Sequence, residues 1–132
     1  MGGGLKLLLD THALLWWWGA DPRLSKRAAK AIADEANTVL VSAASAWEIA
    51  IKFRLGKLPG ADPAIDQFHE LLIADGFEHL AMTAQHALKA GGFEAKHRDP
   101  FDRMLAAQAL IEGATLVTDD AAMKLFRAKC LW

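Results

Sequence analysis

Apolar residues recur along the chain in two rhythms, short continuous runs and longer stretches at helical spacing. Leu5 to Leu9 is an apolar stretch of strand length that stops at a carboxylate, Asp10, and Thr11 to Trp18 after it carries no glycine. The pattern predicts a buried strand turning into a helix. Thr38 to Val41 is β-branched and apolar, a second buried strand, and Ser42 follows it where Asp10 follows the first. Ala114 to Val117 is a further strand, halted by Thr118-Asp119-Asp120. Phe77 to Leu80 reads as a shorter, less buried strand, and Cys130 to Trp132 as a final edge strand.

Between these runs lie the helices. Ser25 caps a helix over Lys26 to Glu35 whose apolar face is Ala28, Ala29 and Ile32. Ala43 to Leu55 is helical, with Trp47, Ile51 and Leu55 at four-residue intervals and Glu48 about one turn in. Asp62-Pro63 opens a single helix with Ile65, Phe68 and Leu72 as its stripe, stopped by Gly76. Thr83 begins a brief helix through Leu88 before Ala90-Gly91-Gly92 loosens the chain. Asp99 caps and Pro100 starts a helix through Met104, Ala107 and Ile111 to Gly113, and a short helix ends near Phe126.

Strands alternating with helices imply an α/β domain with a mostly parallel sheet of four to five strands and helices on both faces. Every strand then ends on one rim, where open α/β sheets bind their ligands. Asp10 and the Asp119-Asp120 pair lie on that rim, and Glu48 and Asp102 near it. At 132 residues and 53% hydrophobic the whole chain, 1–132, is expected to form one domain, with residues 1–4 as a flexible lead-in.

Charge narrows the choice little, since 15 basic and 16 acidic residues leave a net charge of −1. Any polyanion must therefore be held by a local patch. No run approaches the roughly 20 apolar residues of a membrane span, no signal-peptide pattern is present, and Lys6 stands where a myristoylation signal needs Ser or Thr. The single cysteine, Cys130, suits a cytoplasmic protein.

Each acid has an ordinary explanation as a helix cap. Asp10 or Thr11 can cap the first helix, Ser45 and Glu48 have capping-box spacing, Asp102 sits at the third position after Asp99-Pro100, and Asp119 can cap the last helix. Their joint placement asks for more. Several carboxylates on one rim repel one another and raise their pKa values unless a cation neutralises them. An all-oxygen, thiolate-free set favours Mg²⁺ or Mn²⁺, ions that bind phosphates and activate water. Spacing leaves the choice within Asp99/Asp102 and within Asp119/Asp120 open.

Four ordered motifs carry a resemblance: Leu-Leu-Asp10-Thr11-His12-Ala-Leu-Leu-Trp-Trp, Ser42-Ala-Ala-Ser45-Ala-Trp47-Glu48-Ile-Ala-Ile-Lys52, Asp99-Pro-Phe-Asp102-Arg103-Met-Leu-Ala-Ala-Gln-Ala, and Leu-Val-Thr118-Asp119-Asp120. Over nearly its whole length the chain resembles the PIN-domain ribonucleases, and more closely the VapC-type toxins of toxin–antitoxin pairs. The resemblance implies a PIN-like three-layer α/β/α sandwich and selects Asp10, Glu48, Asp102 and Asp120 as the acids that hold Mg²⁺, with Mn²⁺ as a substitute. Thr11, Ser42, Asp99, Thr118 and Asp119 then support them by orienting carboxylates or water. It further implies endonucleolytic cleavage of RNA by a metal-activated water, a homodimer, and a small antitoxin whose tail crosses the acidic cleft with an arginine.

Lys96, His97, Arg98 and Arg103 beside the third acid, and Lys52, Arg54 and Lys57 after the second, are the local basic groups. Of these Lys52, His97, Arg98 and Arg103 are the candidates for holding the RNA backbone. His12 is expected to pack or hydrogen-bond. Trp16, Trp17 and Trp18 are consecutive, so one helix face cannot bury all three, and at least one is expected to meet a partner. Two other functions compete: a PIN-like module that binds RNA or protein without cutting, and a phosphotransfer domain of the receiver kind. The latter wants paired acids after strand one and a lysine at a late strand end, and the sequence has neither.

Overall fold

The computed structural model describes residues 4–132. Residues 1–3 of the expected lead-in lie outside the described residues. At Gly4 a Cβ would sit 1.6 Å from the Ala36 carbonyl oxygen, an approach only glycine allows.

The elements are β1 (Lys6–Leu9), α1 (Thr11–Trp18), α2 (Lys26–Ala33), β2 (Thr38–Ser42), α3 (Ala43–Arg54), α4 (Asp62–Asp66), α5 (Phe68–Asp75), β3 (Glu78–Leu80), α6 (Ala84–Gly92), α7 (Pro100–Glu112), β4 (Thr115–Val117), a 3-10 turn (Ala121–Phe126) and β5 (Cys130–Leu131). The five strands pair in the order β3-β2-β1-β4-β5. Every pairing is parallel. The expected mostly parallel sheet is therefore wholly parallel, with β1 at its centre.

Successive leucines of β1 feed opposite faces, as the pleat requires. Leu7 and Leu9 join Val39, Val41 and Val117 under α1, α2 and α5, whereas Leu8 joins Leu40 and Leu116 under α7 and the 3-10 turn. This explains a strand with no polar alternation, because both of its faces are covered. Chain order runs outward from β1 to β3 on one side and from β4 to β5 on the other, so the switch point lies between β1 and β4. The Asp10 amide crosses it, donating to the Val117 carbonyl at 3.1 Å.

Several local expectations need correcting. The Asp62-Pro63 helix is two helices, broken at Gln67 (φ −125°, ψ 26°), and Asp62 lies inside α4 with no side-chain cap at its start. The break lets α5 bring Phe68 edge-on to Trp18. α2 stops at Ala33, capped by Asp34, rather than reaching Glu35. α3 buries Ala44, Ser45, Glu48 and Ile49, so Trp47 and Leu55 point outward, about half exposed. Its cap is Ser42, whose Oγ accepts the Ala44 amide, and not Ser45. α6 continues through Ala90-Gly91-Gly92, because the Arg103 guanidinium takes the Ala90 and Gly91 carbonyls that a helix end leaves unpaired.

Candidate functional site

Asp10 leaves β1 in extended geometry and caps α1, its Oδ1 accepting the Ala13 amide at 2.7 Å. The ordinary capping role is thus real, and only one carboxylate oxygen serves it. Burial raises the Asp10 pKa from 3.8 to about 6; the Thr118 hydroxyl, the Ala13 amide and the His12 charge oppose the rise, and Asp119 adds to it. At neutral pH the group is an anion kept out of water without a full counter-charge.

Glu48 is buried on α3. Its Oε1 accepts the Thr11 hydroxyl at 2.6 Å, and its Oε2 pairs with Lys52 Nζ at 2.5 Å, one helical turn on. Ser45 Oγ lies 3.0 Å from the Thr11 oxygen. Since the single Thr11 proton goes to Glu48, Ser45 donates to Thr11. Thr11 therefore does what was expected of it, orienting a carboxylate, while Ser45 is a supporting group that the sequence reading assigned only to a cap.

Asp102 sits in the first turn of α7, and its Oδ2 lies 2.7 Å from His97 Nε2. Burial raises its pKa; His97 opposes this, and the charges of Asp99 and Glu48 add to it. Asp99 itself is the α7 cap, its Oδ1 accepting the Phe101 and Asp102 amides. Asp99 thus serves the α7 backbone through one oxygen, while Asp102 is the member of the pair that meets His97 and Asp120. Asp120 accepts the Ala122 amide and, instead of Asp119, caps the last helical turn. Thr118 Oγ1 receives the Asp120 amide at 3.1 Å.

Donor atoms of His97, Asp102 and Asp120 lie within 4.8 Å of one another. Glu48 lies near enough for its charge to act on Asp102, whereas Asp10 is not brought within this group and feels the charge of Asp119 instead. His97 was expected to hold RNA; the structure ties it to an acid instead. Its place five residues before Asp102 is a loop distance that no helical spacing could have flagged. Ser42 caps α3 and gives its proton to Gln108 Oε1 at 2.6 Å, a partner 66 residues away.

Arg103 also leaves the RNA-facing set. Its Nε and two terminal nitrogens donate to the carbonyls of Ala90, Ala95, His97, Gly91 and Phe93, using all five N–H groups. It staples the loop that carries His97 to α7. Arg103→Ala is expected to lower stability by about 2 kcal/mol, with Arg103→Lys recovering little because an ammonium cannot reproduce the fork; urea denaturation of the three proteins measures this.

The three tryptophans find partners within the chain. Trp17 and Trp18 both donate Nε1–H to Asp75 Oδ2, at 3.2 and 2.9 Å. Trp16 stacks on His12 at 5.5 Å, meets Trp132 edge-on and lies under Arg23. α5 and the chain's last residues thus cover surface that the run of indoles seemed to leave for a partner.

The fold and its rim define a parallel α/β domain with an acidic cleft at the switch point. The chain belongs to the PIN-domain family, whose model, described as PIN domain, matches residues 7–129, and within it to the VapC type. It is 30% identical over 122 residues to Ribonuclease VapC22 of Mycobacterium tuberculosis, covering 92% of each chain. A shorter match, 42% identical over 55 residues, covers 42% of the chain and 39% of Ribonuclease VapC16 of the same organism. Among solved structures, VapBC2 from Rickettsia felis bound to a DNA fragment from their promoter aligns at TM-score 0.70 and 17% identity, covering 96% of this chain and 98% of that one. VapBC-1 from nontypeable Haemophilus influenzae aligns at 0.67 and 17%, covering 96% and 97%. These structural likenesses show the shared fold.

Proposed function

We propose that this chain is a metal-dependent endoribonuclease and the toxin of a toxin–antitoxin pair, with Asp10, Glu48, Asp102 and Asp120 holding Mg²⁺. The observation that supports the reading is the meeting of His97, Asp102 and Asp120 within 4.8 Å, with Asp10 capping α1 just after the central strand and Glu48 close enough to act on Asp102 by its charge. Burial, with the charge of Asp119 on Asp10 and of Asp99 and Glu48 on Asp102, raises both carboxyls, and a bound cation would relieve that cost. The donors fit a hard divalent ion, being carboxylate oxygens with one imidazole, His97, beside them. Glu48 fits too, because each of its hydrogen-bonded oxygens keeps a further lone pair. When bound, Mg²⁺ or Mn²⁺ supplies charge stabilisation at the scissile phosphate and an activated water.

The chain's own groups fix the rest. Thr11 and Lys52 hold Glu48 in one rotamer, and Asp99 leaves Asp102 free by taking the α7 amides itself. The burial that raises Asp10 also thins out the water around it, where electrostatic stabilisation is worth most. RNA as substrate is supported by the named activity of the relative that matches over 92% of its length. An antitoxin partner is supported by the VapBC neighbours and by an apolar cleft of about 200 Å³, lined by Trp47, Met82, Phe101 and Met104, alongside Glu48 and Asp102. An arginine from such a partner would neutralise the acids in place of the ion. No helix among the described residues is long and apolar enough to cross a membrane. A homodimer in the cytoplasm remains part of the proposal.

Partner-free protein incubated with structured RNA is expected to cut it with Mg²⁺ and not after chelation. Asp102→Asn should slow cleavage about 100-fold or more. Undiminished cutting by that variant would sink the assigned acids. RNA bound but never cut by the parent, with either ion, would identify the non-cutting module instead.

A further inference from the structure

Three of the four cations expected to hold the RNA backbone are otherwise engaged. Lys52 is paired with Glu48, His97 with Asp102, and Arg103 has no free N–H. Only Arg98 of that set stays exposed without an ion pair among the described residues. A polyanion brought to the acidic rim therefore has little counter-charge from that set beyond Arg98.

The structure offers it along β5. A cleft of about 280 Å³ opens from Asp119 and Asp120 and is lined further on by Arg27 of α2, Lys124 of the 3-10 turn and the Trp132 ring. Arg27 and Lys124 are exposed, and neither takes part in an ion pair among the described residues. Trp132 is half-buried and held by edge-to-face contact with Trp16, 5.7 Å between centroids at 64°. Acids, unpaired cations and an indole lining one cleft form a pattern with one natural occupant. Phosphate pairs with the cations and a base lies on the aromatic wall, and a divalent ion, if held by the acids, would offset their charge toward the neighbouring phosphate. An acidic peptide offers no base for the indole, and a basic one would be repelled by Arg27 and Lys124.

We infer that this cleft is a nucleotide subsite, in which Arg27 and Lys124 hold a phosphate of single-stranded RNA next to the cut and Trp132 supports its base. The inference rests on the ribonuclease reading and assigns the path of its substrate. No local pattern points to the pair, because Arg27 and Lys124 lie far apart in the chain.

The test separates the two claims. On a short single-stranded RNA, Arg27→Ala/Lys124→Ala should raise KM about tenfold while kcat stays within about twofold, and Lys30→Ala, an exposed change on the same helix, should alter neither. In the uncut complex, with Asp10→Asn as background, the double variant should lower the slope of log affinity against log salt by about 0.7, the value for one single-strand phosphate no longer neutralised. Trp132→Ala should weaken a normal oligomer about fivefold or more and leave an abasic one unchanged. An unchanged KM and salt slope in the double variant would overturn the subsite, as would Arg27- and Lys124-dependent capture of polyglutamate in place of RNA. A parent that never cuts RNA, yet shows the same Arg27- and Lys124-dependent binding, would leave the subsite standing and overturn the nuclease reading.

Discussion

Asp10→Asn is expected to make the metal-free protein more stable at pH 7 while reducing cleavage about a thousandfold. In the fold the Asp10 carboxyl titrates near 6, against 3.8 as its ordinary value. Below pH 3.8 it is protonated whether or not the chain is folded and contributes nothing. As pH rises towards 6 the unfolded chain loses this proton first, so stability falls through that window and stays lowered above it. The penalty at neutral pH is roughly 3 kcal/mol. Asparagine removes the charge and keeps an oxygen for the Ala13 amide that Asp10 caps at 2.7 Å. A gain of about 1–3 kcal/mol at pH 7 should appear in denaturant midpoints and vanish near pH 4. Added Mg²⁺ should raise the midpoint of the parent and leave the variant nearly unmoved, because a ligand stabilises only the state that binds it. A variant less stable than the parent at pH 7 would refute the account of a buried, uncompensated charge.

What could be read from the chain depended on whether the cause was local. A run of apolar residues ending at Asp10 fixes a strand end whatever surrounds it, and Asp99-Pro100 starts a helix by its own geometry. The acids were legible for the same reason, since strand ends and helix starts place them on one rim. Failures came where distant groups decide. Trp47 and Leu55 keep helical spacing, yet α3 turns Glu48 and Ile49 inward because Thr11 and the β-sheet lie on that side. Arg103 reads as a solvated cation until five carbonyls from residues 90–97 close around it. The tryptophans read as surplus apolar surface until Asp75, Phe68 and Trp132 are folded onto them. Gly91-Gly92 reads as a break, and the same arginine holds it helical.

Gln108 is the sharpest of these cases and supports the second large prediction. It is the one polar residue between Met104 and Ile111 of α7, and in the fold it is fully buried. Its Oε1 accepts the Ser42 hydroxyl at 2.6 Å, while its Nε2 lies 3.3 Å from both the Ala81 carbonyl and His86 Nδ1. His86 Nδ1 also receives the Thr83 amide, so it is an acceptor, and the ring proton sits on Nε2, facing Glu112 at 3.0 Å. One side chain thus joins the cap of α3, the end of β3, α6 and α7. Gln108→Leu, close in shape, would strand the Ser42 proton and the Ala81 carbonyl. A loss of about 2–4 kcal/mol is expected from two buried polar groups left without partners. Gln108→Glu discriminates between lost shape and lost polarity. It restores an acceptor for Ser42 but turns a second oxygen toward Ala81 and His86 Nδ1, both acceptors. It must therefore carry a proton, and between pH 5 and 8 its stability should fall further than that of Gln108→Leu, in which only the fall due to Asp10 remains. Because α3 carries Glu48 and α7 carries Asp102, the Ser42–Gln108 bond also sets the spacing of two acids. At temperatures where both proteins stay folded, Gln108→Leu should lower kcat about tenfold with KM little changed. Full kcat in a folded Gln108→Leu protein would show that the network stabilises the domain without positioning its acids.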